Sequence, residues 1–504
     1  MILKDILENI GVQSVKGRGD LDIRAITADS RQVVPGAAFF AVKGFASDGH
    51  AYIDKAVAAG AQAIVYEDET ALAAALSRIS PANDLEAKSG HIAAIESLTL
   101  VRVEHARRAL ALAADNFYGH PSRELTLVGI TGTNGKTTTV TLLYNLFRRL
   151  GYECGLLSTI ANYVGAKRLE TANTTADPVT INALLRQMAD AGCQYCFMEV
   201  SSIGVEQDRV TGLCFKAGIF SNLTHDHLDY HKTFAEYLRC KKCFFDTLPR
   251  DAWAITNIDD RNGLVMVQNT QAQVVTYSCR NLADHTCRIL EESFDGMLLR
   301  LDGQDVWTRL IGQHNAYNLL AIYTTAILIG AGKEETLVAL STLESAKGRL
   351  ETLRGPKELS VVIDYAHTPD ALENVLKTLR DIAPQRCLIC LFGCGGDRDK
   401  TKRPEMAKVA AQYADRIFVT SDNSRTERTE DILEDIRAGL DAQGRAKSLF
   451  ISDRREAIRS AVMLAPEGAT ILLAGKGHET YQIIGTEKRH FDEREIVTDV
   501  FKTL

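Results

Sequence analysis

Short apolar runs separated by amphipathic stretches set the rhythm of this chain. Leu125–Thr131 (LTLVGIT) is mostly apolar and runs into a glycine-containing turn, after which Lys136–Leu150 takes helical spacing. A buried strand, a loop and a helix are predicted in that order. Further strands are predicted over Gln194–Val200, Ala217–Ser221 and Trp253–Asn257, with strand-loop-helix units recurring to about residue 345. A last region repeats the pattern with Val361–Asp364, Leu388–Phe392, Arg416–Thr420 and Thr470–Ala474 as apolar strands between amphipathic helices. The first stretch differs in texture. It carries the short strand Ala63–Tyr66, turn signals at Pro35-Gly36 and Asp48-Gly49, a charged helix over Val103–Phe117 and a polar surface loop over Ser80–Gly90. Strands alternating with helices predict an α/β protein of doubly wound parallel sheets, whose ligands bind at the carboxyl ends of the strands.

At 504 residues the chain predicts three domains, with boundaries at the changes of texture: 1–120, 121–345 and 346–504. The 58 Lys and Arg against 65 Asp and Glu leave a net charge of -7, which argues against a nucleic-acid-coating surface while leaving room for a local phosphate pocket. The start lacks the apolar core and cleavage site of a signal peptide, and no apolar run reaches membrane-span length, so a cytoplasmic protein is expected. Eleven cysteines include three CxxC pairs, Cys193/Cys196, Cys240/Cys243 and Cys387/Cys390. Their separation does not fit a zinc ribbon, and two of the pairs touch apolar strands, so buried thiols are the better reading.

The strongest local signal is Gly129-Ile130-Thr131-Gly132-Thr133-Asn134-Gly135-Lys136-Thr137-Thr138. Backbone N–H groups in such a turn, at a helix N-terminus, cradle anions, and the lysine adds a point charge for the outer phosphates. A hydroxyl beside the lysine can ligate Mg²⁺. The broad Walker pattern needs a glycine where Ile130 stands, so the tighter form Gly132-x-x-Gly135-Lys136-Thr137 is the match. A nucleoside triphosphate is the expected ligand. Glu199 ends the apolar strand and is placed to hold Mg²⁺, although a strand-end glutamate is equally read as solvated. His225, Asp226, His227, Asp229 and His231 crowd seven residues; a zinc hydrolase would need the HExxH arrangement, which is absent.

With the run Gly132–Thr137 behind its strand, the chain resembles the Mur ligase family, ATP-dependent amino-acid ligases of peptidoglycan precursor synthesis. Met198–Ser202 matches the family's acidic strand end and Asp226–Asp229 its histidine loop. The resemblance implies an N-terminal UDP-sugar-binding α/β domain, a central P-loop-type parallel-sheet ATPase domain and a C-terminal Rossmann-like domain. It implies Mg²⁺ on Thr137, Glu199 and His227, and on Lys241 as a CO₂-derived carbamate. Catalytic roles then fall to Lys136, Glu199, His227 and Lys241. ATP contacts fall to Gly132, Thr133, Asn134, Gly135, Lys136, Thr137 and Thr138, to Asn315 and Asn318 in the stretch Gly312–Asn318, and to Arg349 in Gly348–Glu351. Ser30 lies in the part resembling the UDP-sugar domain. Thr174, Thr175, Ser201, Gln207 and Arg209 are carried over as contacts to the muramoyl-peptide. Ile203 stands where the family usually has histidine, and Ala176 where it often has proline.

The last third resembles the family's amino-acid site. Asp422-Asn423-Ser424-Arg425 matches an Asp-Asn-Pro-Arg motif, with serine for proline, and Gly475–Glu479 the family's final motif. By that resemblance Arg398, Asp422, Asn423, Ser424, Arg425, Gly475 and Glu479 bind the incoming amino acid. An arginine at 425 suits bidentate binding of a distal carboxylate, which meso-diaminopimelate has and lysine lacks. The implied reaction joins meso-diaminopimelate to UDP-N-acetylmuramoyl-L-alanyl-D-glutamate through an acyl phosphate, in a monomer. The alternatives are a sister ligase adding lysine or another diamino acid, a catalytically silent nucleotide-binding paralogue, and a generic P-loop switch ATPase.

Overall fold

The computed structural model describes residues 1–44, 47–79, 98–171, 173–224 and 228–504, the side chains of 228 and 229 excepted. The expected loop over residues 80–90 and the histidine-loop residues His225, Asp226 and His227 lie outside the described residues. The chain divides into two compact units. One joins Met1–Gly129, Tyr152–Gly218 and Cys243–Ala252; the other joins Ile130–Gly151, Ile219–Lys242 and Trp253–Leu504.

The first unit begins with strands β1 (Val12–Lys16), β2 (Ala25–Thr27), β3 (Ala37–Phe40), β4 (Ala63–Tyr66) and β5 (Thr99–Val103). They form a sheet in the order β1-β5-β4-β3-β2, parallel except for β1 against β5. Every residue of β3 and β4 is buried, as parallel strands covered on both faces should be. Alternate residues split between two cores. Ala38, Phe40, Ala63 and Val65 pack on one side, Phe39, Ala41, Ile64 and Tyr66 on the other. The helix expected from Val103 starts only at Ala106, because Val103 still belongs to β5. The Glu67 carboxylate accepts the Ala106 N–H at 2.8 Å and fixes that start. The unit also holds the first residues of β6 (Thr126–Thr131), then β7 (Cys154–Leu157), β8 (Asn162–Val164), β9 (Lys167–Leu169), β10 (Tyr195–Glu199) and the first residues of β11 (Phe215–Phe220), in the order β11-β6-β10-β7-β8-β9.

The second unit contains β12 (Trp253–Asn257), β13 (Gln273–Ser278), β14 (His285–Ser293), β15 (Gly296–Leu301) and β16 (Gln304–Thr308), ordered β16-β15-β14-β13-β12. Here the expectation of strand-loop-helix units to residue 345 is corrected: β14, β15 and β16 make an antiparallel meander. The physical cause is a two-residue turn, Asp302 (φ 44) and Gly303 (φ 83), between paired Leu301 and Gln304. Both residues take positive φ, as the tight hairpin turn that matches strand twist demands.

The same unit holds a six-stranded sheet of β17 (Glu351–Arg354), β18 (Ser360–Asp364), β19 (Leu388–Phe392), β20 (Arg416–Val419), β21 (Ser448–Phe450) and β22 (Thr470–Ala474). Its order is β17-β18-β22-β19-β20-β21, and only β17 runs antiparallel to its neighbour. Val362, Cys390, Phe392 and Leu472 meet Leu372, Val375, Leu376 and Leu379 of the helix Pro369–Ile382 on one face. Val361, Ile389, Leu391 and Ile471 meet Ala457, Ile458 and Ala461 of the helix Arg454–Met463 on the other. Period-two alternation therefore builds two apolar layers, and β18, β19 and β22 are buried throughout. A hairpin of β23 (Tyr481–Ile484) and β24 (Glu487–His490) follows. Among the described residues no helix is long and apolar enough to cross a membrane. All eleven cysteines are free thiols.

Candidate active site

In the second unit β6 ends at Thr131, the chain turns through Gly132 and Gly135, and the helix Lys136–Arg149 begins. Glycine is required at both turns. Gly132 has φ 153, and a Cβ there would stand 2.0 Å from Ser221 Oγ; Gly135 has φ 87, and a Cβ would stand 2.5 Å from Asn318 Oδ1. The segment after β11 staples the loop from outside. Asn222 Oδ1 accepts the Asn134 N–H at 2.9 Å, Ser221 Oγ donates to Asn134 O at 2.7 Å, and the Thr224 N–H donates to Thr133 Oγ1 at 2.9 Å. Lys136 folds back to donate to Gly132 O at 2.9 Å and Thr133 O at 2.8 Å. Thr137 and Thr138 are buried in the first helical turn. With the Thr133 and Asn134 N–H groups tied to Asn222, the N–H groups left to receive an anion are those of the first turn of the helix Lys136–Arg149.

Lys241 lies in the helix Phe234–Asp246 and is 1% exposed. Its Nζ donates to Gly132 O at 2.8 Å and sits 4.7 Å from the Tyr237 ring centre, while Tyr237 shares a 3.1 Å hydrogen bond with Thr133 Oγ1. The structure thus brings Lys241 onto the phosphate loop, 109 residues away in sequence.

A cavity of about 470 Å³ opens beside the loop. Asn134, Gly135 and Thr138 line it, with Asn315, Asn318 and Arg349. Asn315 and Asn318 share one face of the helix Gln313–Leu328, at an i, i+3 spacing; Asn318 Nδ2 donates to Asn315 Oδ1 at 3.1 Å. Arg349 stacks 4.9 Å from the Tyr365 ring, and its buried Nε has no hydrogen-bond partner among the described residues. Burial first, then Arg349, pushes His314 down to about 4, so it is neutral near pH 7. Asp259, given no role from sequence, anchors the far wall. It accepts from Ser278 Oγ, the Cys279 and Arg280 N–H groups, Asn281 Nδ2 and Tyr317 OH. Burial opposes its ionisation, but the Ser278 and Tyr317 hydrogen bonds outweigh it and hold its carboxyl below the usual range.

In the first unit, Glu199 ends β10 and is 1% exposed. Its carboxylate accepts the Thr159 N–H at 2.8 Å and the Thr159 hydroxyl at 3.2 Å; among the described residues no cationic side chain pairs with it. Thr175, Ser201, Gln207 and Arg209 gather behind that strand end. Thr175 Oγ1 donates to Glu199 O and accepts the Ser201 N–H, both at 3.0 Å, and Ser201 caps the helix Ser202–Glu206 through the Gly204 N–H. Gln207 Oε1 accepts from Arg209 Nε and Nη2, and Thr174 Oγ1 from Thr159 Oγ1 at 3.1 Å. Ile203 and Ala176, the two departures, are half-buried beside them. Ser30 starts the short turn Ser30–Gln32 in the N-terminal part of the unit, capped by the Asp29 carboxylate.

The remaining expected residues meet at the carboxyl ends of β19, β20 and β22. Asp422, Asn423 and Ser424 are buried after β20, and Gly475 follows β22 with φ 115, where a Cβ would come 2.7 Å from Asp422 Oδ2. Asn423 Nδ2 donates to Glu479 Oε2 at 2.9 Å. Arg425 takes positive φ (49) and donates from Nη1 to Gly396 O at 2.8 Å; Arg398 is exposed on the same loop. Sequence reasoning passed over Lys476 in this cluster. It is 0% exposed, and its Nζ donates to Glu479 Oε2 at 3.0 Å and Asn423 Oδ1 at 3.2 Å, with Asp422 Oδ1 at 4.0 Å. Burial works against the Asp422 carboxylate, yet Lys476 and Arg454 hold it below the usual range. Arg454, also fully buried, ties the strand ends together by donating to Ser421 O and Ala474 O while pairing with buried Glu493 at 2.8 Å. A lysine between two site residues in the run Gly475–Glu479 was the available signal; for Arg454 and Glu493, 39 residues apart, none was visible.

A glycine phosphate loop between a buried strand and a helix, with a roomy polar cavity at its mouth, defines a nucleotide-binding protein of the P-loop type. Sequence profiles narrow this. The profile described as "Mur ligase family, catalytic domain" matches residues 22–118, "Mur ligase middle domain" residues 130–326 and "Mur ligase, glutamate ligase domain" residues 348–477. A UDP-N-acetylmuramoyl-L-alanyl-D-glutamate--2,6-diaminopimelate ligase of Bacteroides fragilis is 48% identical, with 99% of each chain covered. One of the same name from Cytophaga hutchinsonii is 47% identical over 100% of both chains. A solved structure of a ligase of that name superposes with a TM-score of 0.68 at 30% identity, covering 100% of this chain and 99% of the other. The chain belongs to the Mur ligase family.

Proposed function

We infer that the chain is an ATP-dependent amide ligase that adds meso-diaminopimelate to UDP-N-acetylmuramoyl-L-alanyl-D-glutamate in peptidoglycan precursor synthesis. The observation that carries the reading is the buried Asp422–Asn423–Lys476–Glu479 cluster with Arg425 beside it, at strand ends in a relative of ligases so named. A carboxylate does not accept an amine at neutral pH, because oxide is too poor a leaving group. Transfer of a phosphoryl group from ATP makes an acyl phosphate, whose leaving group is phosphate; the amine then attacks and amide, ADP and phosphate result. Lys136 and the loop N–H groups offset charge on the transferring group. Gly132–Thr138 bind the phosphates, with Asn315, Asn318 and Arg349 on the nucleoside side. Thr174, Thr175, Ser201, Gln207, Arg209 and Ser30 take the UDP-muramoyl-dipeptide. Arg425 and Arg398 pair with the amino acid's distal carboxylate, while Glu479 and Asp422 receive its ammonium, oriented by Asn423, Ser424 and Gly475.

For Mg²⁺ the proposed ligands are Thr137, Glu199, His227 and Lys241 as a carbamate. The buried Glu199 carboxylate, which pairs with no cationic side chain among the described residues, and a threonine hydroxyl are hard oxygen donors suited to that ion. When bound it supplies charge neutralisation at the phosphoryl oxygens. The working modules are residues 1–120 for the UDP-sugar, 121–345 for ATP and 346–504 for the amino acid, in a cytoplasmic monomer. The test is ligation followed by mass spectrometry with a panel of amino acids. A tripeptide product with diaminopimelate and little with lysine is expected. Equal turnover of lysine points to the sister ligase, and no ATP consumption with all substrates present refutes the reading.

A further inference from the structure

The helix Pro369–Ile382 presents one face to the nucleotide cavity through Asp370, Ala371, Asn374, Val375, Thr378 and Asp381. Its first turn does more than line a wall. Thr368 caps the helix, Pro369 opens it, and Asp370 sits in the first turn, where the helix dipole favours a negative charge. From there Asp370 Oδ2 accepts a 3.0 Å hydrogen bond from Asn134 Nδ2 of the phosphate loop and a 3.1 Å bond from Thr224 Oγ1. These partners are 236 and 146 residues away in sequence. Both already belong to the network that shapes the loop. The Asn134 N–H is bound by Asn222 and its carbonyl by Ser221; the Thr224 N–H is bound by Thr133, whose hydroxyl meets Tyr237. One carboxylate thus fastens the amino-acid-binding part of the chain to the residues that cradle phosphate. Both bonds are charge-assisted, which strengthens them over neutral ones.

We propose that Asp370 is a positioning residue that latches the helix Pro369–Ile382 onto the phosphate loop, so that ATP binding and exclusion of water from the activated carboxyl depend on its carboxylate. This rests on the ligase reading above. Without the latch the helix face leaves the cavity, the nucleotide loses a wall, and water reaches the acyl phosphate before the amine does.

The test is steady-state kinetics of the full chain and of Asp370→Ala, Asp370→Asn and Thr224→Val, measuring ADP and tripeptide in the same reaction. Wild type forms them one to one; if wild type forms no tripeptide, the ligase reading itself fails and the latch is not what failed. Asp370→Ala is expected to raise the KM for ATP about tenfold and to release at least two ADP per tripeptide. Thr224→Val should move both values the same way by a smaller factor. Asp370→Asn, whose amide oxygen still accepts both hydrogen bonds, should stay within about threefold of wild type. A thermal midpoint measured without nucleotide guards against simple unfolding, and a destabilised Ala variant leaves Thr224→Val as the deciding protein. One ADP per tripeptide and an unchanged KM in the folded Ala or Val variant overturn the proposal, as does Asp370→Asn failing as badly as Asp370→Ala.

Discussion

Replacing Lys476 by methionine tests the electrostatics of the proposed amino-acid site most directly. The methionine is nearly isosteric, so it removes the ammonium while filling the space. What remains is Glu479, which has lost a 3.0 Å partner, Asn423, which has lost a 3.2 Å one, and Asp422, which has lost a cation at 4.0 Å, all around a position that is 0% exposed. Stripping one partner from a buried, hydrogen-bonded charge cluster costs about 3–5 kcal/mol, because the opposite charge stays behind uncompensated. Arg454 remains near Asp422 and relieves part of this. The rest divides between folding and binding. The incoming diamino acid brings its own ammonium, which recovers some of the loss, but it meets an Asn423 amide no longer held from two sides. We expect kcat/KM for diaminopimelate to fall about a hundredfold, equivalent to about 2.7 kcal/mol, with the KM for ATP within about twofold of wild type. Lys476→Arg should recover most of the activity. The assay is steady-state ligation with diaminopimelate varied at saturating ATP, on protein shown to be folded by its thermal midpoint. A folded Met variant with unchanged kcat/KM for the amino acid, or one whose defect lies in the KM for ATP, refutes the reasoning.

Gly135→Ala is expected to raise the KM for ATP by roughly tenfold or more, since φ is 87 and the new Cβ would stand 2.5 Å from Asn318 Oδ1; nucleotide titration checks it. Arg454→Met should lower stability in urea by about 3–5 kcal/mol, because Glu493, 0% exposed, loses its counter-ion and burial already raises its pKa. His478 is pushed down to about 3 by burial and then Arg349, as His314 is to about 4. Both are neutral in the fold, while the unfolded chain binds their protons below about pH 6.5, so stability should fall on acidification from that pH toward 4 and below. Thermal midpoints across this range should decline less steeply in His478→Gln, and an identical slope would count against the assignment.

The alternating strands and helices were legible because buried parallel strands are continuously apolar: β6, β10, β12, β18, β19, β20 and β22 all lie within two residues of their predicted bounds. What escaped was antiparallel. The meander β14–β16 alternates too weakly to stand out, with Leu290 and Trp307 exposed, and only the Asp302-Gly303 turn marks it. In the candidate site, residues whose chemistry is local could be picked out one by one, as the glycines of the phosphate loop were. Residues that act through distant partners could not. Asp370 reaches Asn134 across 236 residues and looks from sequence like an ordinary first-turn aspartate. Lys476 looks like a solvated lysine between two glycines until the fold shows it buried.

The two ends of the second unit solve opposite recognition problems by opposite means. Six carboxylates line the cavity beside the phosphate loop, Asp381 and five others, Asp259, Asp260, Glu292, Asp364 and Asp370, and those five are an odd choice around a polyphosphate. Each of these carboxylates is already engaged. Asp259 holds the Cys279–Asn281 turn, and Asp260 takes the Leu223 and Asn262 N–H groups. Glu292 binds the Gly312 N–H, Asp364 those of Leu350 and Ala366, and Asp370 the phosphate loop. They organise loops through hydrogen bonds to backbone N–H groups and, for Asp370, to the side chains of Asn134 and Thr224, so on the proposed reading phosphate recognition rests on the N–H groups of the first helical turn and on Lys136. At the proposed amino-acid end the charges pair with one another: Lys476 lies between Glu479 and Asp422, and Arg454 also acts on Asp422. On the proposed reading Glu479 and Asp422 receive a ligand's spare ammonium and Arg425 beside them its spare carboxylate. Selection of a diamino dicarboxylic acid over a neutral amino acid would then rest on this pairing of two carboxylates with an arginine.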